Sequence, residues 1–176
     1  SAEYHFSLAQ AHVVNGNPDL AIEEFKLALM FDPSSALIYT RLATEYVKKG
    51  MVSAAVESCS EALKRNPKYN PARMMLAGLF SALGEWSKAF AEYNRVISYD
   101  PRNEEAHIFR AQVLAEQEKM SEAINSLNSY LKKNSESALG YYHLAKLQQQ
   151  ANKITEATRA YQKALEIRPG FIQAAL

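Results

Sequence analysis

Proline recurs in this sequence at a fixed distance. Pro33, Pro67 and Pro101 step by 34 residues, and Pro169 lies two such steps further on, with Ser135 in the vacant slot. Gly16, Gly50 and Gly84 keep the same step. A period of this length marks a chain built from stacked copies of one supersecondary unit and argues against one core folded around a single cleft. Cut at that period, the sequence divides into residues 2–35, 36–69, 70–103, 104–137 and 138–171. Residues 172–176 then start a sixth copy or form a capping helix.

Each copy reads as two helices. Breakers fall at only two places, near the glycine column and at the Asp32-Pro33, Asn66-Pro67, Asp100-Pro101 and Arg168-Pro169 steps, where a helix must end. Asp19, Ser53, Ser87, Ser121 and Thr155 share one column, and their side-chain oxygens suit them to cap the second helix. Asn70-Pro71 reads as a cap and first-turn proline for the first helix of its copy. Alanine fills whole columns: Ala9, Ala43, Ala77, Ala111 and Ala145 in the first helices, and Ala21, Ala55, Ala89, Ala123 and Ala157 in the second. Small residues at helical spacing let backbones approach, while Leu8, Leu42, Leu76 and Leu144 beside them fill the remaining space. No copy can bury both faces alone, so neighbours must stack.

These columns resemble the tetratricopeptide repeat family. The second copy carries Tyr39, Leu42, Ala43, Tyr46, Gly50, Ala55, Cys59, Ala62 and Pro67; the third carries Leu76, Ala77, Phe80, Gly84, Trp86, Ala89, Tyr93 and Pro101. The resemblance implies an all-α fold, a right-handed α-solenoid of five helix-turn-helix repeats plus the start of a sixth, forming a single domain over 1–176. The fourth copy departs most, with Arg110 in the leucine column, Glu118 in place of glycine, Tyr130 in a small-residue column and Ser135 in place of proline. Its Lys132 to Ser135 junction is expected to be the softest. Because patterned sequence starts at once and the last residues are apolar, the sequence reads as an excerpt of a longer chain.

Chemistry finds little to rest on. A formal charge of +1 offers no general footprint for nucleic acid, and no apolar run is long enough for membrane insertion. The single cysteine, Cys59, allows neither an internal disulfide nor a cysteine zinc site, and in its packing column it reads as an inert thiol. His5, His12 and His107 read as packing residues, while His143 lies in a column that can face a partner. No phosphate loop, zinc-protease motif or nucleophile elbow occurs. The expectation is no catalytic residue, no cofactor and no metal.

The resemblance instead directs attention to the inner face of a curved stack, lined by first helices. The candidate partner-binding residues are Phe6, Gln10, Arg41, Thr44, Lys48, Met74, Met75, Gly78, Ile108, Phe109, Gln112, Tyr142, His143 and Lys146. The family's carboxylate clamp is absent, since Phe6, Gln10, Arg41, Pro71 and Met75 occupy its positions. Its asparagine ladder is absent too, replaced by Ser7, Arg41, Met75, Phe109 and His143. What remains is an apolar track suited to a non-catalytic scaffold that holds a protein or peptide segment by apolar anchors. The alternatives are self-association through the C-terminal end or a spacer role, and the regulatory region of a larger enzyme or envelope-assembly lipoprotein. No residue selects a cellular setting; the cytoplasm is favoured, with a bacterial periplasm or envelope as the alternative for a mature excerpt.

Overall fold

The computed structural model describes residues 1–171. Among them lie ten helices arranged as five helix-turn-helix repeats: α1 (Ala2–Val14), α2 (Pro18–Phe31), α3 (Ala36–Lys48), α4 (Val52–Arg65), α5 (Asn70–Ala82), α6 (Trp86–Tyr99), α7 (Glu104–Glu116), α8 (Met120–Lys133), α9 (Ala138–Gln150) and α10 (Ile154–Ile167). The chain falls into two compact units, α1 to α5 and α6 onward, divided between Leu83 and Gly84.

The turn inside each repeat explains the glycine column. Gly16, Gly50 and Gly84 all have φ near +70°, a conformation that only glycine adopts without strain. In the second repeat Gly50 N donates to Val47 O at 2.9 Å and Met51 N to Tyr46 O at 2.9 Å, so the last carbonyls of α3 are satisfied from beyond its end. Met51 is also the residue from which α4 starts. One residue thus ends one helix and begins the next, which leaves the pair almost no freedom in how it folds back. Glu118 and Asn152 take the glycine place in the fourth and fifth repeats and keep its geometry, with φ of 61° and 59°.

The capping expectation is corrected here. The second helices begin at Pro18, Val52, Trp86, Met120 and Ile154, so the Asp19, Ser53, Ser87, Ser121 and Thr155 column lies within the first turn, and no side chain caps these helices. Side-chain caps belong to the first helices: Ser35 Oγ accepts from Ile38 N, Asn103 Oδ1 from Ala106 N and Ser137 Oγ from Gly140 N. Asn70 is likewise inside α5, whose cap is Tyr69. The turn at Ser135 needs no proline, because Ser137 N reaches Asn134 O at 3.2 Å as Asn103 N reaches Asp100 O at 3.0 Å.

In the first unit, Phe25 is fully buried among Ala9, Ala21, Ala28, Ala43, Ala55 and Cys59, with Leu42, Tyr46 and Leu76 closing the cluster. The alanines are the close-approach points and the larger side chains fill between them. In the second unit Leu127 and Ile108 are the central buried residues, surrounded by Leu114, Ile124, Tyr130, Leu131 and Leu144. A Cβ at Gly140 would stand 2.9 Å from Leu131 Cδ2, so α9 approaches α8 through a position without a side chain. The start of a sixth repeat expected over 172–176 lies outside the described residues.

Because Glu118 sits in the left-handed region at a cost of about 1–2 kcal/mol, Glu118→Gly is expected to raise stability by about 1 kcal/mol after glycine's greater chain entropy is subtracted. The reverse change, Gly50→Glu, is expected to lower it by a similar amount. Urea unfolding followed by circular dichroism reads both; a midpoint that falls for Glu118→Gly would show that the Glu118 side chain contributes more than its backbone costs.

Candidate functional site

Each first helix has a face turned away from its buried stripe. On α3, Arg41, Thr44 and Lys48 lie opposite Leu42, Ala43 and Tyr46; on α7, Phe109, Gln112 and Glu116 lie opposite Ala111 and Leu114; on α9, His143, Lys146 and Gln150 lie opposite Leu144 and Ala145. The helical period carries this face from sequence into space in both units.

In the first unit the face is largely committed to internal contacts. Lys48 Nζ donates to Glu45 Oε1 at 2.7 Å, and Glu45 is only 2 % exposed, so the lysine is the counter-ion of a buried carboxylate. The Thr44 hydroxyl donates to Thr40 O at 3.1 Å. Phe6 and Met75 pack against the core cluster, the Phe6 ring lying 5.8 Å from that of Phe25. Gln10, Met74 and Gly78 are half-buried, and Arg41 is exposed.

In the second unit α7 and α9 enclose a cleft of about 190 Å³ lined by Gln112, Glu116, His143, Lys146, Leu147 and Gln150. Gln112 Nε2 donates to His143 Nδ1 at 3.1 Å, which puts the imidazole proton on Nε2. Burial, reinforced by the charge of Lys146 and opposed by Glu104, holds the His143 pKa below its ordinary value, so the ring is neutral at physiological pH. Lys146 Nζ lies 5.7 Å from the centre of the Tyr142 ring. Phe109, on the same side of α7 as Gln112, is 38 % exposed and tilts against Tyr93.

Two expected anchors are placed elsewhere. Ile108 is 2 % exposed and belongs to the core, and Tyr142 packs between Tyr161 and Phe171. Phe6 and Met75 likewise turn inward in the first unit, and in the second unit the face is a mixed polar surface with Phe109 as its exposed aromatic. The reason is that adjoining helices each claim one side of a first helix, a demand that a single-helix wheel does not show.

Sequence reasoning passed over Gln150, which the 34-residue step from Glu116 would have supplied. It also passed over an apolar stripe on the outer side of α2, where Leu20, Leu27 and Met30 are exposed, Met30 by 77 %. Those columns elsewhere hold Ala54, Lys88, Glu122 and Glu156; Glu61, Arg95, Ser129 and Lys163; and Lys64, Ser98, Lys132 and Glu166. Cys59 is buried, and burial pushes its thiol pKa up to about 12. Among the described residues no group of three or more His, Cys, Asp or Glu side chains is placed to hold a metal ion, and no helix is long and apolar enough to cross a membrane.

Comparison with known families matches one profile described as Tetratricopeptide repeat to residues 46–113 and 82–147, and a second of the same description to residues 2–35 and 138–171. No curated protein matches the sequence. Among solved structures, the chain is similar to the MamA protein, with a TM-score of 0.79 at 18 % identity over 99 % of this chain and 96 % of that one. It is similar to a thermophilic repeat protein of Thermus thermophilus, with a TM-score of 0.73 at 24 % identity over 99 % and 95 %. A third is YrrB, described as having an unusual peptide-binding site, with a TM-score of 0.71 at 20 % identity over 99 % and 90 %. At these identities the likeness is one of fold.

The two histidines of the second unit, His107 buried and His143 half-buried, give a pH signature. Burial lowers the pKa of both His143 and His107 in the folded chain, so below about pH 6.5 the unfolded chain takes up protons first. Their neutral forms therefore support stability above that pH, and the support is lost as pH falls through the folded values. Stability is expected to drop between pH 7.5 and 5.5, and less so in the His107→Gln, His143→Gln double variant. An unchanged slope in urea titrations of the double variant would assign the drop to other groups.

Proposed function

The chain belongs to the tetratricopeptide repeat family, and from that premise we propose that it is a non-catalytic scaffold holding an extended segment of a partner protein against its first helices. Repeats of this family typically mediate protein–protein interactions. The observation that carries the proposal here is the α7–α9 cleft with its exposed aromatic neighbour. A peptide backbone offers alternating N–H and C=O groups, and the cleft presents donors and acceptors in kind: the carboxamides of Gln112 and Gln150, the Nε2–H of His143, the Lys146 ammonium and the Glu116 carboxylate. Phe109 supplies an apolar contact on the same side of α7, so a side chain of the bound segment packs beside backbone hydrogen bonds. The likeness to YrrB supports a peptide as the ligand. In the first unit Arg41 is an exposed charge suited to an acidic group of a partner.

A second reading, self-association, is favoured by the outer stripe of α2. Asp19, Glu23 and Glu24 crowd the first half of that helix, while the second half carries Lys26 and then only uncharged residues. An antiparallel pairing of two copies brings each Lys26 toward the other's acidic half, whereas a parallel pairing opposes like charges.

Peptides selected from a random display library on the intact chain provide the ligand for the first test. Gln112→Ala and His143→Ala are each expected to weaken the selected peptide about tenfold, the weight of one or two hydrogen bonds, with helicity unchanged. Phe109→Glu is expected to abolish binding. Unchanged affinity in all three would place the peptide elsewhere. For the second reading, light-scattering mass is expected to rise with concentration, and Leu27→Glu with Met30→Glu to hold the chain monomeric; a wild-type mass that stays monomeric removes self-association.

A further inference from the structure

The fourth repeat replaces the leucine of its first helix with Arg110, and the structure shows where that charge goes. In the other repeats the column is Leu8, Leu42, Leu76 and Leu144, the last three buried. Arg110 Nη1 donates to Asn94 Oδ1 of α6 at 2.9 Å, and Nη2 donates to Ser126 Oγ of α8 at 2.8 Å. Both acceptors are neutral. The Nε–H is buried with no partner, and among the described residues no carboxylate lies within ion-pair distance of the guanidinium. Burial depresses its pKa, but a guanidinium remains charged far above neutral pH. A half-buried cation without a counter-ion is a costly arrangement that a bound anion would relieve.

The space for one is present. Arg110 lines a cavity of about 250 Å³ between α6, α7 and α8, together with Ser126, Ser129, Lys133, Ile97 and Tyr130. Ser126 accepts from Arg110, which leaves its own O–H to donate, and Ser129 and Lys133 follow it on α8 at helical spacing of three and seven residues. Asp100 accepts from Arg102 N and Asn103 Nδ2, and Glu104 accepts from Ser137 Oγ; both keep their charge, which acts on Tyr130 and, for Asp100, on His107 of the cavity wall. Neither lines the cavity.

We propose that this cavity is a binding site for a phosphate monoester, with the phosphoryl oxygens held by Arg110, Lys133 and the Ser126 and Ser129 hydroxyls. Two cations and two hydroxyl donors from separate helices suit a tetrahedral dianion better than a planar carboxylate. The volume exceeds that of the phosphate alone, and Ile97 and the Tyr130 ring give the ester's organic group an apolar wall. The site lies between successive second helices, so its occupancy is independent of the peptide cleft on the first helices.

Calorimetric titration of the intact chain with phenyl phosphate and with inorganic phosphate, against chloride at matched ionic strength, tests this. Phenyl phosphate is expected to bind saturably with one site, and inorganic phosphate about tenfold more weakly. Arg110→Leu restores the residue of the other repeats, so it is expected to fold at least as stably while losing affinity about twentyfold or more. Lys133→Gln, at an exposed position, is expected to weaken binding about fivefold. Absence of saturable binding beyond the chloride control overturns the site, as does equal affinity in Arg110→Leu. Inorganic phosphate binding as tightly as phenyl phosphate overturns the monoester assignment. If Arg110→Leu fails to fold, unchanged affinity in Lys133→Gln overturns the site by itself.

Discussion

The left-handed residue that closes each first helix governs the rest of the structure. At Gly16, Gly50, Glu118 and Asn152 its own N–H and the next one satisfy the last carbonyls of the helix just ended, and that next residue already starts the following helix. The pair therefore folds back with its relative position set by local hydrogen bonding. Capping side chains are unnecessary on the second helices for the same reason: their starts are fixed by the preceding turn. The first helices follow a looser turn after the proline column, and it is they that carry Ser35, Asn103 and Ser137 as caps.

Close packing then follows from what the turn brings together. The alanine columns are at zero exposure at Ala9, Ala21, Ala43, Ala55, Ala77, Ala89, Ala111, Ala123 and Ala145, so backbones meet there and the neighbouring large residues interlock. The column that holds Ile38, Ala72 and Ala106 in other copies falls to Gly140 where α9 approaches Leu131 of α8. Such local adjustment is what a stack of nearest-neighbour interfaces allows, because no residue answers to more than the adjoining repeats.

The fold was legible because a 34-residue period displays the same physical demand several times. A glycine column, a proline column and alanines at fixed offsets define helix ends and contact points with no knowledge of the packing. The site was less legible. Phe6, Met75, Ile108 and Tyr142 lie on or beside the expected binding columns, but each is claimed by a neighbouring helix, and a column count cannot weigh two neighbours at once. The Gln112 to His143 hydrogen bond joins side chains on different helices, so neither residue announces it. The α2 stripe was visible as an anomaly among charged columns, and only its exposure shows that it is a surface.

A repeat protein supplies its own reference state, and this gives departures from a column physical weight. Glu118 accepts a left-handed backbone where three copies use glycine, and Arg110 places a cation where four copies use leucine, both in the fourth copy. Each costs on the order of 1 kcal/mol or more by itself. In the second helix of that copy Ile124, Leu127, Tyr130 and Leu131 are all buried, and Tyr130 adds bulk in a column that holds alanine or valine elsewhere, stacking on His107 at 4.4 Å. Added apolar burial on one side of α7 offsets polar intrusion on another, which keeps the stack continuous while letting one copy depart from the pattern. The charge at Arg110 is thus tolerated by packing but not neutralised by it, so the electrostatic demand at that position is left for something other than the chain's own carboxylates.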